Sequence, residues 1–379
     1  MEFRIDARDP AGAARTGFLT LPHGEVATPA FMPVATQGSV KTLTPAEVRA
    51  TGARLVVANT YHLYLRPGHE RVRRLGGVQA FMGWDGAVLT DSGGYQVYSL
   101  ATLCRVSDEG AEFQSHIDGG RHFFSPERVV EIQHALGSDI AMCLDECPPY
   151  PSSPERAAGA VARTSLWAGR SFACRPGAMT LFPIVQGATF VELRHRSARE
   201  LADLDAAGYA IGGLCLGEPS DATFEMVAAV TSELPVDRPR YLMGAGYPED
   251  IIAAVRLGVD LFDCVLPTRN GRTGTAFTSR GRVAVRNARH TDDPSPLDDA
   301  CSCETCRGFT RAYLRHLFVA GEALGPKLLT LHNVRFYQDL MAGIRGAVAG
   351  GGFEPWANAF LARYRLEETT EPAAGESRR

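Results

Sequence analysis

Eight short apolar runs, rich in β-branched and aromatic residues, recur along the chain with helical segments between them. They run from Pro29 to Val34, Arg54 to Asn59, Ala87 to Thr90, Asp139 to Leu144, Leu181 to Val185, Tyr209 to Gly213, Tyr241 to Gly244 and Val259 to Asp263. Strand-like runs alternating with helices predict a parallel sheet covered by helices. Eight of them match a (β/α)8 TIM barrel, so the expected fold class is α/β. The intervening segments, such as VVEIQHALG and TFVELRHRSARELADLD, space their apolar residues at three and four, as one-sided helices do. Thr44-Pro45-Ala46-Glu47, Ser125-Pro126-Glu127 and Ser153-Pro154-Glu155 each set a capping hydroxyl before a proline and an early acid, which marks helix starts.

Residues 1–28 read as a β-hairpin or meander ahead of the barrel, turning at Asp9-Pro10-Ala11-Gly12. After the eighth strand comes an insertion at about 267–332, and the last helices are expected to close the ring. The expected organisation is one catalytic domain over 1–366, the insertion forming a metal-binding subdomain within it. The polar tail 367–379 is expected to be disordered. A length of 379 residues accommodates a barrel with insertions without a second domain.

Hydrophobic residues make up 45% and charged residues 22%, which suits a globular protein with a large core. No apolar run reaches membrane-spanning length and the N-terminus MEFRIDARDP is charged, so a cytoplasmic protein without membrane contact is expected. The net charge of −4 argues against a protein that coats nucleic acid, but residues 268–289 hold six arginines and no acid, a local positive surface. A solvated hairpin would explain that stretch equally well.

Nine cysteines are an odd number, and three of them cluster as Cys301, Cys303 and Cys306, which suits reduced thiols and a metal better than disulfides. His332, separated from Cys306 by 25 intervening residues, completes a Cys3His set; His290 and His316 are alternatives by spacing. Four such ligands suit tetrahedral Zn2+ and leave no position for a reacting water, so the site is read as structural.

Reacting groups of a barrel gather at the C-terminal ends of its strands. Strand three runs into Asp91-Ser92-Gly93-Gly94-Tyr95-Gln96, strand four into Asp145-Glu146-Cys147 and strand five into Gln186-Gly187. Strands six, seven and eight run into Gly212-Gly213-Leu214, Met243-Gly244 and Asp263-Cys264. Singly, each has a structural explanation as a helix cap or tight turn. Together they describe a pocket with three carboxylates, an amide, exposed glycine backbone and an aromatic platform, an inventory that fits a purine-like base.

In order and spacing, DSGGYQ, LDECPP, IVQG, GGLCLGE, YLMGAG, FDCVLPTRNGRTG and the CxCxxC with its distant histidine resemble the tRNA-guanine transglycosylases, the queuine tRNA-ribosyltransferase family, of bacterial type. The resemblance runs from about residue 2 to residue 365. It implies an enzyme of queuosine biosynthesis, a pentosyltransferase that exchanges the wobble guanine of GUN-anticodon tRNAs for 7-aminomethyl-7-deazaguanine without ATP. Asp263 would be the nucleophile on the ribose C1′ and Asp91 the general acid and base. Asp145 and Gln186 would bind the base, with Asp91, Ser92, Gly93 and Gly94 around it. Gly213 would give a backbone N–H, the Leu214 carbonyl would receive the aminomethyl group, and Met243 with Tyr95 would sandwich the ring. Thr268, Arg269, Asn270, Gly271 and Arg272 would meet the anticodon loop. One structural zinc per subunit and a homodimer are further implications. Cys147 and Leu216 resemble the narrow bacterial pocket; queuine as incoming base, a zinc hydrolase, or a non-catalytic RNA-binding subunit are the competing readings.

Overall fold

A computed structural model describes residues 1–100 and 104–365; the expected disordered tail lies outside them. The barrel strands are Ala30–Ala35, Leu55–Ala58, Ala87–Thr90, Ile140–Met142, Leu181–Phe182 with Ile184–Val185, Tyr209–Ile211, Arg240–Leu242 and Leu261–Cys264. All pair in parallel, and the last pairs with the first, Asp263 opposite Met32. The two ends of this ladder are the halves of one strand, broken at Pro183, which lacks an N–H to donate. The carbonyls on either side still work, Phe182 accepting from Cys143 and Pro183 from Ala210. The barrel is therefore nearly closed, as the eight runs predicted.

Alternation along the strands assigns the two faces. Met32, Leu55, Val57, Leu89, Ile140, Met142, Phe182, Ile184, Ala210, Tyr241 and Leu261 pack together as one interior cluster. Their neighbours of opposite parity, such as Phe31, Ala141, Val185 and Phe262, pack outward against the helices. The N-terminal residues form the predicted meander, an antiparallel sheet of Glu2–Arg8, Arg15–Leu21 and Gly24–Thr28. Its Leu19, Leu21 and Val26 join the interior cluster and plug the barrel.

The three marked helix starts are formed as read. Thr44 closes a capping box with Glu47, while the Ser125 and Ser153 hydroxyls accept from the N–H groups of Arg128 and Arg156. One element was not anticipated. Between strand three and its helix Pro126–Leu136, an antiparallel sheet forms from Cys104–Ser107, Gly110–Gln114 and Arg121–Phe124. Its turns at Asp108-Glu109-Gly110 and Asp118-Gly119 are the hairpin signals that the reading passed over.

The insertion begins with a helix Leu266–Thr273 and a hairpin Thr275–Thr278 with Gly281–Ala284. It ends in the 26-residue helix Leu324–Ala349, which carries His332 and continues past residue 332 to pack on the barrel. The insertion is thus tied to the barrel's own outer layer.

Candidate active site

Strand parity carries the interior face one residue beyond the core. Asn59 follows Val57, Asp91 follows Leu89, Gln186 follows Ile184, Gly212 follows Ala210, Met243 follows Tyr241 and Asp263 follows Leu261. A residue at that position points into the C-terminal mouth of the barrel.

Asp263 accepts from the Tyr241 hydroxyl at 2.6 Å and from the Gly244 N–H at 3.0 Å, both on Oδ1. Among the described residues nothing donates to Oδ2, so that oxygen keeps its lone pairs. Asp91 takes the Thr60 N–H at 2.9 Å and the Gly93 N–H at 3.2 Å on Oδ1, and the Asn59 amide on Oδ2. Burial pushes the Asp91 carboxyl up to about 7; the charges of Asp263 and Asp145 add to the rise and the backbone donors oppose it. Burial also raises Asp263, opposed by its two donors. A carboxyl that titrates near neutrality beside a second carboxyl is suited to passing a proton back and forth.

Asp145, just past the fourth strand, accepts from Ser92 Oγ at 2.9 Å and from Gln186 Nε2 at 2.7 Å. Burial raises its pKa against those two donors. The other amide atom, Gln186 Oε1, is buried and has no partner. Gly213 lies against it with φ of 65°, where a Cβ would come within 2.3 Å of Oε1, so only glycine fits.

The following turn is held from behind. The buried Arg194 guanidinium donates to the carbonyls of Val185, Ala188, Gly212 and Gly213 at 2.7–3.1 Å. Glu218 accepts from the N–H groups of Cys215 at 2.5 Å and Leu216 at 2.9 Å. Because a trans peptide points its N–H and C=O in opposite directions, the Leu214 carbonyl faces away from Glu218. Cys147 sits beside Asp145 and Gln186, and burial pushes its thiol up to about 12. Tyr95, at the start of the helix Gly94–Leu100, is 52% exposed, a face open to solvent rather than a buried wall. Met243 is half-buried at the interior rim. Beside Asp263 a cavity of about 140 Å³ opens between Cys215, Glu218, Gly244, Cys264, Leu266 and Arg269.

The four expected metal ligands converge. Ligand atoms of Cys301, Cys303, Cys306 and His332 all lie within 4.8 Å of one another. His332 Nε2 donates to the Phe277 carbonyl at 2.8 Å, which leaves Nδ1 bare toward Cys306 Sγ at 3.3 Å and Cys303 Sγ at 3.6 Å. That second bond fixes the tautomer a metal needs. His290 pairs instead with Asp293, and His316 stacks on Tyr313, so neither alternative joins the set.

The sequence model of one protein family, Queuine tRNA-ribosyltransferase, matches residues 9–366. Proteins of that description from Pelotomaculum thermopropionicum and Desulforudis audaxviator are 54% and 55% identical, over 96% and 95% of this chain and 99% and 97% of their own lengths. One from Cereibacter sphaeroides is 53% identical over 98% of both chains. The chain belongs to the queuine tRNA-ribosyltransferase family.

In this family member the arginine stretch starts right after the Asp263 strand. The helix Leu266–Thr273 turns Arg269 to solvent and half-exposes Asn270 and Arg272. Thr268 and Gly271 are buried on its inner side. A Cβ on Gly271 would meet the Thr330 backbone at 2.7 Å, so this glycine lets the helix lie directly on Leu324–Ala349. Arg272 Nη1 is buried with no partner, and burial with the nearby Arg269 charge lowers its pKa.

Four supporting residues escaped the sequence reading. Asn59 obeyed the strand-end rule that found Asp91 and was overlooked. Tyr241 stood inside a run read as core, Arg194 inside a one-sided helix, and Glu218 in a turn. The last three signal only as polar groups at positions that the pattern expects to be apolar or exposed.

Proposed function

We propose that this family member is a tRNA-guanine transglycosylase that replaces the wobble guanine with 7-aminomethyl-7-deazaguanine. The observation that carries the chemistry is Asp263, held by two donors on Oδ1 with Oδ2 unengaged, beside an Asp91 whose carboxyl titrates at about 7.

Asp263 Oδ2 attacks the ribose C1′ as the bond to the guanine nitrogen breaks, and Asp91 gives its proton to the departing base. The ionised Asp91 then takes a proton from the incoming base, whose nitrogen attacks C1′ and releases Asp263. Two displacements at one carbon retain configuration. Guanine presents N–H donors on its pyrimidine edge, which the Asp145 carboxylate and Gln186 Oε1 would accept; the missing partner of that buried oxygen supports the reading. Ser92, Gly93, Gly94 and Gly213 shape the pocket wall, and Tyr95 and Met243 supply faces for the ring. The Leu214 carbonyl, facing away from Glu218, accepts from the aminomethyl ammonium. Cys147 and Leu216 crowd the space that queuine's added ring would need.

Arg269 lines the cavity beside the nucleophile and takes the sugar-phosphate of a nucleotide flipped out of the anticodon loop, with Asn270 and Arg272 flanking it. Thr268 and Gly271 contribute by seating that helix. Residues 1–366 act as one catalytic domain, with 267–332 as its metal-braced part. Cys301, Cys303, Cys306 and His332 would hold zinc, which three thiolates and an imidazole suit; with every ligand supplied by protein, the ion would brace the insertion and take no part in the exchange. The working form is a homodimer, supported by the exposed aromatic and apolar side chains Tyr313, Val319 and Leu324 on neighbouring helices. No helix among the described residues is long and apolar enough to cross a membrane, and all nine cysteines are free, which agrees with work in the cytoplasm.

Incubation with tRNA and radiolabelled guanine tests the proposal. Label entering only the wobble position, together with a denaturant-resistant adduct lost in Asp263→Asn, is the expected result. No incorporation, or an adduct that survives the substitution, overturns it. Efficient uptake of queuine with none of the aminomethyl base would replace the substrate assignment alone.

A further inference from the structure

Outside the barrel mouth and the Cys3His cluster, one group of ligand atoms has no role in the exchange. His69 opens the helix His69–Arg74 and Glu131 lies midway along Pro126–Leu136, two outer-layer helices packed on each other. The ligand atoms of His69, Glu70 and Glu131 all lie within 4.8 Å of one another.

Two exposed glutamates alone mean little, but the histidine is different. His69 is only 6% exposed, and its Nε2 is buried with no hydrogen-bond partner, 3.8 Å from Glu70 Oε1. Its ring stacks on Tyr64 at 5.5 Å, which sets its plane. A buried ring nitrogen without a partner is costly to keep, and here it lies 3.8 Å from the Glu70 carboxylate, with Glu131 in the same cluster. Each glutamate uses Oε2 for an exposed ion pair three residues away on its own helix, Glu70 with Arg73 and Glu131 with Arg128, both at 2.7 Å. Such pairs are weak and screened by salt, and they leave Oε1 for another partner.

We propose that His69, Glu70 and Glu131 form a second, exchangeable site for a divalent cation of the zinc class, bridging these two helices. One imidazole and two carboxylates suit Zn2+, Co2+ or Mn2+ better than Ca2+ or Mg2+. Ligands around such an ion sit roughly 3–3.5 Å apart given bonds of about 2.1 Å, so the partly exposed glutamates need to move only about 1 Å. Three side chains leave further positions to water, and without a thiolate the ion exchanges readily. Pro126–Leu136 reaches the strand that leads into Asp91 through a 2.8 Å bond from Thr90 to Gln133, so the ion acts as an outer clip on the helix behind that strand.

The test uses full-length protein with its Cys3His cluster already filled with zinc and stripped of loosely held metal by a mild chelator. Calorimetric titration with Zn2+ is expected to show one additional equivalent per chain, with only nitrogen and oxygen neighbours by X-ray absorption. In the E70Q/E131Q double variant that equivalent binds at least tenfold more weakly, while guanine exchange without added metal is unchanged. Because both positions are partly exposed, the variant keeps its fold, checked by its unfolding midpoint. His69→Gln gives the same loss. No additional equivalent at millimolar Zn2+, or uptake that both variants leave unaltered, overturns the site.

Discussion

The two ends of the barrel carry the same side chain and treat it in opposite ways. The strands Ile140–Met142 and Leu261–Cys264 each have an aspartate toward both ends: Asp139 and Asp260 before them, Asp145 and Asp263 at the other end. At the plugged end Asp260 meets Arg15 through bonds of 2.9 and 2.6 Å and takes the Arg240 N–H at 2.8 Å. Asp139 pairs with the His23 ring at 2.8 Å and accepts from Gln79 and the Val88 N–H. At the open end Asp91, Asp145 and Asp263 receive only hydroxyl, amide and backbone donors. Among the described residues no cation pairs with any of them. A buried carboxylate bound to a guanidinium is locked in its charge state. One given only neutral donors has its pKa raised by burial, and that of Asp91, with the charges of Asp263 and Asp145 adding to the rise, reaches about 7, where a proton can be exchanged near neutrality. Along Leu261–Cys264 a guanidinium at one end and neutral donors at the other separate bracing from reactivity within a single strand.

The comparison breaks most sharply at Asp263. Asp263→Asn is expected to lower base exchange by about 10⁴-fold or more while leaving the fold intact, measured by label incorporation and adduct formation. Asp91→Asn should cost about 10²–10⁴-fold in rate. It should also change stability in a defined direction. The folded carboxyl titrates at about 7 against an ordinary 3.8, so the native state holds a proton the unfolded chain has released, and stability falls as pH rises through that window. The substitution removes this loss. Urea midpoints at pH 8 should therefore favour the variant by about 1–3 kcal/mol relative to pH 4, with the difference vanishing at the acid end.

At the other end the expected signs reverse. Arg15→Met strands Asp260 in the core and should destabilise the protein by about 3–5 kcal/mol, with the exchange rate of the remaining folded enzyme unchanged. A loss of rate without loss of stability would contradict the division drawn here. The smallest effect is expected from Tyr241→Phe, which removes one of the donors holding the Asp263 pKa down. The acid limb of the pH-rate profile should move upward and the rate at pH 6 should fall about three- to tenfold, a change of roughly 1 kcal/mol for one lost hydrogen bond.

Much of this was legible along the chain because it depends on local order. The strand period, the capping residues Thr44, Ser125 and Ser153, and the rule that reacting groups follow strands placed Asp91, Asp145, Gln186 and Asp263 at one mouth. Three closely spaced cysteines announced a metal cluster, but spacing left three histidines open. The packing of Leu324–Ala349 chose His332 by bringing it to Cys306 and the Phe277 carbonyl. The small sheet over 104–124 was missed because its strands, CRVS, GAEFQ and RHFF, mix polar with apolar residues instead of forming the continuous apolar runs of the barrel.

What the sequence determined by itself, then, is which residues sit on the interior face and at which end, since strand parity is a property of neighbouring positions. Which charges stand without a counterion was decided only in three dimensions. Arg15 reaches Asp260 across 245 positions, and Arg194 secures the carbonyls of Val185 and Gly212, at the ends of two strands, from within a helix. Such pairings come from closing the barrel, and no local pattern encodes them because the partners share no sequence neighbourhood.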